Sequence, residues 1–199
     1  MNVALLPLVP RGMGFRSRQF RLLKDRHIYD TVSVLTTDTV SPFFVTVSGK
    51  KKSEALFAGD QSLVKEANIF LVMGLQATVK DRTLTKAEWL TFFNKGFFNF
   101  TCTVPESVTI DEDRLAAIAM GPGLELFNTT SALDVAGVFG RQYVDRRSYL
   151  VGENKVIPGG RAVEFSLNWL ESGGNGLAST AITTVILAGG EYEPGNAKS

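Results

Sequence analysis

"FLVMGLQATVKDRTLTKAEWLTFFNKGFFNFTCTV", residues 70–104, carries three elements in a row and decides the fold class. The strand that enters it is read in "ANIFLVMGLQATVK", residues 67–80. Ile69, Leu71, Met73, Leu75, Ala77 and Val79 alternate with other residues, so an extended chain puts all six on one face. Gln76, Thr78 and Lys80 then fall on the opposite face. Thr85 and Glu88 have the spacing of a capping box, in which the Thr hydroxyl accepts an N3 amide and the Glu reaches back. Trp89, Phe92 and Phe93 recur at three- and four-residue steps, which predicts a short helix with one apolar stripe. Gly96 is expected to stop it in a left-handed conformation. A second alternating strand follows, with Phe98, Phe100, Cys102 and Val104 inward and Asn99, Thr101 and Thr103 outward. The segment therefore reads strand, lid helix, strand.

The same alternation extends along the chain. "YDTVSVLTT" from Tyr29 and "PFFVTVSG" from Pro42 read as strands, and "GKKKSE" at Gly49–Glu54 as a charged, solvated turn. Further on, "DEDRLAAIAM" at 111–120 reads as a short helix or a loop. On the helix reading, Asp111, Glu112 and Asp113 favour its positive N-terminus. "GVFGRQYV" and "SYLVG" are strand-like. In "RAVEFSLNWL", Val163, Phe165, Leu167 and Trp169 face inward. Thr180–Leu187 is β-branched almost throughout, as for a strand buried on both faces. Short strands at regular spacing, with one or two small helices in connections, argue an all-β protein, a β-sandwich or jelly roll. Its 199 residues fit an extended basic N-terminal arm at residues 1–27 and a single domain at residues 28–199.

The net charge of +1 gives the whole molecule no strong pull on a polyanion, but the charge is unevenly placed. Arg11, Arg16, Arg18, Arg21, Lys24 and Arg26 crowd the arm against Asp25 alone. A basic arm on a neutral body suits contact with phosphates; a solvated basic strand is the plainer alternative. The opening "MNVALLPLVP" is short and broken by Pro7 and Pro10, which suits neither a signal peptide nor a membrane span. The chain is therefore expected to be made and used inside a cell, or in something assembled there.

Residues suited to catalysis are scarce. His27 is the single histidine and Cys102 the single cysteine. A Ser-His-Asp triad would have to use a histidine in the arm, and zinc or iron–sulfur ligation has no ligand set. Asp111, Glu112 and Asp113 lack the alternating spacing of a calcium loop. The glycine clusters fit neither a phosphate loop nor a dinucleotide fingerprint. No cofactor, metal or catalytic activity is expected, and Phe98 and Phe100 read as core residues, not as a nucleic-acid stacking platform.

Three segments together carry a resemblance. They are "ALFAGDQSLVKEANIFLVMGLQATV" (55–79), "WLTFFNKGFFNFTCTV" (89–104), and "VIPGGRAVEFSLNW" (156–169) followed by "GLASTAITTVILAGGEY" (176–192). In order and rhythm they resemble jelly-roll capsid proteins of icosahedral, tailless phages, above all the small single-jelly-roll proteins of membrane-containing viruses. The resemblance implies a jelly-roll fold and a structural bacteriophage protein: a virion subunit, assembled in the host cytoplasm, that joins copies of itself and other capsid proteins into a shell. It also implies that the basic arm faces the interior, meeting packaged nucleic acid or an internal membrane surface. The alternative is a phage spike or a receptor- or carbohydrate-binding β-sandwich, for which Trp169, Tyr143 and Tyr149 would have to be exposed together.

Overall fold

The structure, a computed structural model, describes residues 20–82, 84–104, 106–115, 140–142 and 156–194. Within them ten strands form two antiparallel sheets with almost no helix, so the protein is all-β. The strands are β1 (Phe20–Val34), β2 (Val40–Phe43), β3 (Ala55–Leu56), β4 (Ile69–Val79) and β5 (Phe97–Val104). They continue with β6 (Glu106–Arg114), β7 (Gly140–Gln142), β8 (Val156–Pro158), β9 (Val163–Asn168) and β10 (Ala181–Pro194). The larger sheet has the order β3-β1-β10-β4-β7, with β8 also beside β4. The smaller has the order β2-β9-β5-β6.

One apolar cluster is shared by the inner faces of both sheets. On the smaller sheet it centres on Phe165, whose ring lies 5.5–6.2 Å from those of Phe43, Phe44, Phe98 and Phe100. Edge-to-face and stacked rings at this spacing add to the burial of large apolar surface. Phe98 and Phe100 are thus core residues, as the alternation predicted.

β4 corrects the expectation of a single inward face. Its register with β10 passes from Gly74 opposite Ala188 to Val72 opposite Gly189, skipping Met73. Such a bulge inserts one residue and reverses the alternation. Leu75 and Ala77 therefore share the main core with Phe70 and Val72, while Ile69 and Leu71 join Tyr192 in a separate small cluster. β10 is also less enclosed than expected, since Ile182 is exposed on the face opposite Ala181, Thr183 and Val185.

Three other expectations change. β1 begins at Phe20, which pairs with Pro194, so the boundary expected between residues 27 and 28 falls inside a strand. Asp111, Glu112 and Asp113 continue β6 opposite Phe100, Asn99 and Phe98, so pairing with β5 overrides the helical reading. The strand expected from Pro42 onward ends at Phe43, because Phe44 has a φ of 61°. "GVFGRQYV" supplies β7, and "SYLVG" lies outside the described residues.

The helix α1 (Lys86–Phe92) forms as read, with both hydrogen bonds of the capping box. Trp89, Phe92 and Phe93 bury its apolar stripe, and Trp169 Nε1 donates to the Phe92 carbonyl at 2.7 Å. α1 thus lies against Trp169 at the end of β9. Gly96 is not left-handed here; Phe93 closes the helix in the right-handed region. Glycine is required at 96 for space, since a Cβ there would stand 2.5 Å from Trp169 Nε1 and 2.6 Å from the Phe92 carbonyl. Gly96→Ala is therefore expected to destabilise the fold by about 2 kcal/mol in chemical denaturation, the usual cost of overpacking a filled site.

Candidate functional site

The buried charges mark where this fold concentrates its polar chemistry, and they form three separate groups. The first holds the lid. Glu88 is buried, and its carboxylate accepts from five donors. Arg82 supplies two, Nη1 at 3.0 Å and Nη2 at 2.6 Å. Thr85 gives its amide and hydroxyl, at 2.9 and 3.0 Å, and Ala178 gives its amide at 2.9 Å. Arg82 also donates to the Ser179 carbonyl at 3.0 Å. One side chain thus joins the exit of β4, the start of α1 and the loop that enters β10. The Arg82 guanidinium, ahead of the backbone donors from Ala178 and Thr85, holds the Glu88 carboxyl down at about 2 despite its burial. The same contact raises Arg82.

The second group centres on Asp30, which occupies an inward position of β1 between Ile28 and Val32. Lys50 Nζ approaches Asp30 Oδ1 at 2.5 Å, the Phe44 amide donates to Oδ2 at 2.7 Å and the Thr31 amide to Oδ1 at 2.9 Å. The carboxylate therefore fixes Phe44 in its left-handed conformation at the point where the smaller sheet ends. A non-glycine residue held there costs roughly 1–3 kcal/mol, which the amide bond and the buried ring offset. Lys50 was expected in a solvated turn. It is instead a partner of a core carboxylate, and the Tyr29 hydroxyl donates to the Lys52 carbonyl in the same loop.

The third group includes part of the expected basic arm. Glu191, buried on β10, accepts from Arg26 Nη1 at 2.6 Å and from Asn68 Nδ2 at 2.7 Å, with Lys24 Nζ at 3.9 Å. Arg26 and Lys24 thus neutralise a carboxylate of their own sheet. Arg21 stands opposite Glu193 in the same ladder. Arg11, Arg16 and Arg18 lie outside the described residues.

His27 is an exposed strand residue opposite Ala188. Cys102 is buried in the core, and desolvation pushes its thiol up to about 11, so it stays protonated near neutral pH. Trp169 is also fully buried, which removes it from any sugar-binding surface; Tyr143 and Tyr149 lie outside the described residues. Among the described residues no cluster of His, Cys, Asp and Glu could hold a metal, and no helix is long and apolar enough to cross a membrane.

What reaches solvent is apolar in places. Val40 and Phe97 both sit opposite Asn168, forming one row across the outer face of the smaller sheet. Both are exposed, as are Leu35 and Leu170. Comparison of the chain with family models, curated proteins and solved structures gave no match.

Two measurements test these groups. Glu88 ionises near 2 when folded and near 4.5 otherwise, so its contribution is complete above about pH 5 and is lost as pH falls toward 2. Acid titration of urea stability is expected to show a loss on the order of 3 kcal/mol over that window, and Glu88→Gln to remove most of it. For the third group, deletion of residues 1–27 removes Arg26 from buried Glu191 and is expected to cost at least about 3 kcal/mol.

Proposed function

We propose that this chain is a jelly-roll capsid subunit, a structural virion protein that assembles with copies of itself into a closed shell. The observation that carries the reading is the pairing of strands. With β3 set aside, and β7 and β8 counted as one position beside β4, the pairs are β1–β10, β2–β9, β4–β7 and β5–β6. First pairs with last and each next pair lies inside the one before, as in a single long hairpin. Successive pairs fall alternately in the larger and the smaller sheet. Rolling the hairpin up adds the contacts β10–β4 and β9–β5. A wound ribbon of this kind is the logic of the double-sheet jelly roll.

The fold alone does not choose among shells, lectins and cupin enzymes. Cupin chemistry needs several histidine ligands, and the chain has one histidine. A lectin reading loses Trp169 to the core. The shell reading is supported by the ordered segments between residues 55 and 192 that resemble phage capsid proteins. It is also supported by the exposed row of Val40 and Phe97 near Leu170, which subunit contacts would cover. Burial of the charged groups within the subunit suits a rigid building block.

Light scattering and electron microscopy of the purified chain over a concentration series test the proposal. Rings or closed particles are expected. A species that stops at a trimer points instead to a spike component. A monomer that persists up to the solubility limit, across salt and pH, overturns assembly.

A further inference from the structure

Two rows of side chains cross the outer face of the smaller sheet, with one residue from each strand in each row. The first runs Val40, Asn168, Phe97, Arg114, and the second Pro42, Ser166, Asn99, Glu112. Every strand supplies its two residues two positions apart, so the rows lie side by side, roughly 7 Å apart at the rise of a strand. Ser41, Leu167 and Phe98, which fall between them along the chain, are buried. In both rows the residues of β2, β5 and β6 are exposed and those of β9 are half-buried. Glu88, Asp30 and Glu191 find their cations inside the subunit. Among the described residues, the side chains of Glu112 and Arg114 make no such pair.

We propose that this face packs against the same face of a second copy, about a two-fold axis that crosses the strands between the two rows. The inference rests on the shell reading and names one of its contacts. Such an axis lays the first row of one copy on the second row of the other, with each strand over its own counterpart. Val40 then meets Pro42 of the second copy, Asn168 meets Ser166, Phe97 meets Asn99 and Arg114 meets Glu112, and each contact occurs twice. Hydrocarbon falls on hydrocarbon, amide on hydroxyl and cation on anion. A contact closed by a two-fold has to be self-complementary in this way, because whatever residue i touches on its partner touches i in return.

Other two-folds in the plane of this face match it less well. An axis along the first row opposes Arg114 to Arg114, and one along the second opposes Glu112 to Glu112; like charges so placed are costly. An axis parallel to the strands through the middle of the sheet sets Arg114 on Val40 and Glu112 on Pro42, leaving both charges without partners. The axis between the rows alone joins Arg114 to Glu112 and also covers the exposed side chains of Val40, Pro42 and Phe97. Sheets packed face to face stand about 10 Å apart, a gap that side chains of this length fill from both sides.

Charge exchange in the full-length chain tests the contact. Arg114→Glu and Glu112→Arg each set like charges together twice. Each is expected to raise the dissociation constant of the two-fold pair at least about tenfold, in sedimentation velocity at low salt. An equimolar mixture of the two variants is expected to associate as tightly as the unmodified chain, since position 114 of either then faces an opposite charge at position 112 of the other. Rescue on mixing reports a contact between copies, because a fault within one subunit is not repaired by another. Unchanged association in the single variants, or absence of rescue in the mixture, overturns the inference even if particles form. If the chain stops at a dimer that the variants weaken and the mixture restores, the shell reading fails and the contact stands. A chain that stays monomeric up to its solubility limit overturns both.

Discussion

The pairing of the first described strand with the last is the constraint on which the rest of this structure depends. β1 and β10 run antiparallel from Phe20 opposite Pro194 to Val34 opposite Ala181. Once these distant segments are in register, β2 and β9 lie directly inside them, and β4 with β7 and β5 with β6 inside those. Contacts of such long sequence separation carry a large loop-closure cost before they yield any stability, so folding of this topology is intrinsically slow.

Each buried carboxylate secures a joint that β pairing leaves unsecured. Glu88 ties the lid helix to two loops, Asp30 holds the turn that ends β2, and Glu191 joins β1 to the residues before β4. In each case backbone amides or amide side chains accompany the cationic partner. A buried ion pair without such bonds recovers little of its desolvation cost. These groups contribute fixed geometry at loops, and aromatic rings are the largest side chains of the apolar interior.

How much was legible depended on how local the deciding interaction was. Thr85 and Glu88 announced the helix because both halves of the capping box lie within four residues. Arg82 and Ala178 complete the same carboxylate from outside the helix, and no spacing in the sequence marked the second of them. Asp30 left a readable signal, a carboxylate at an inward position between Ile28 and Val32, but its partner Lys50 sat in a stretch that looked solvated. Gly96 was read for its backbone freedom, while its role is set by Trp169, far away in the chain. Asp111–Asp113 resembled a helix start because the competing ladder with β5 is not visible in local propensity.

By itself the sequence determined the all-β class, the lid helix and the aromatic core, since alternation and capping act between residues a few positions apart. Only the tertiary structure decided which strands are neighbours, where the bulge at Met73 divides β4 between two clusters, and that Lys24 and Arg26 serve Glu191. Those outcomes depend on registers and partners set by the whole ribbon, and a one-residue slip in any ladder would reverse every face.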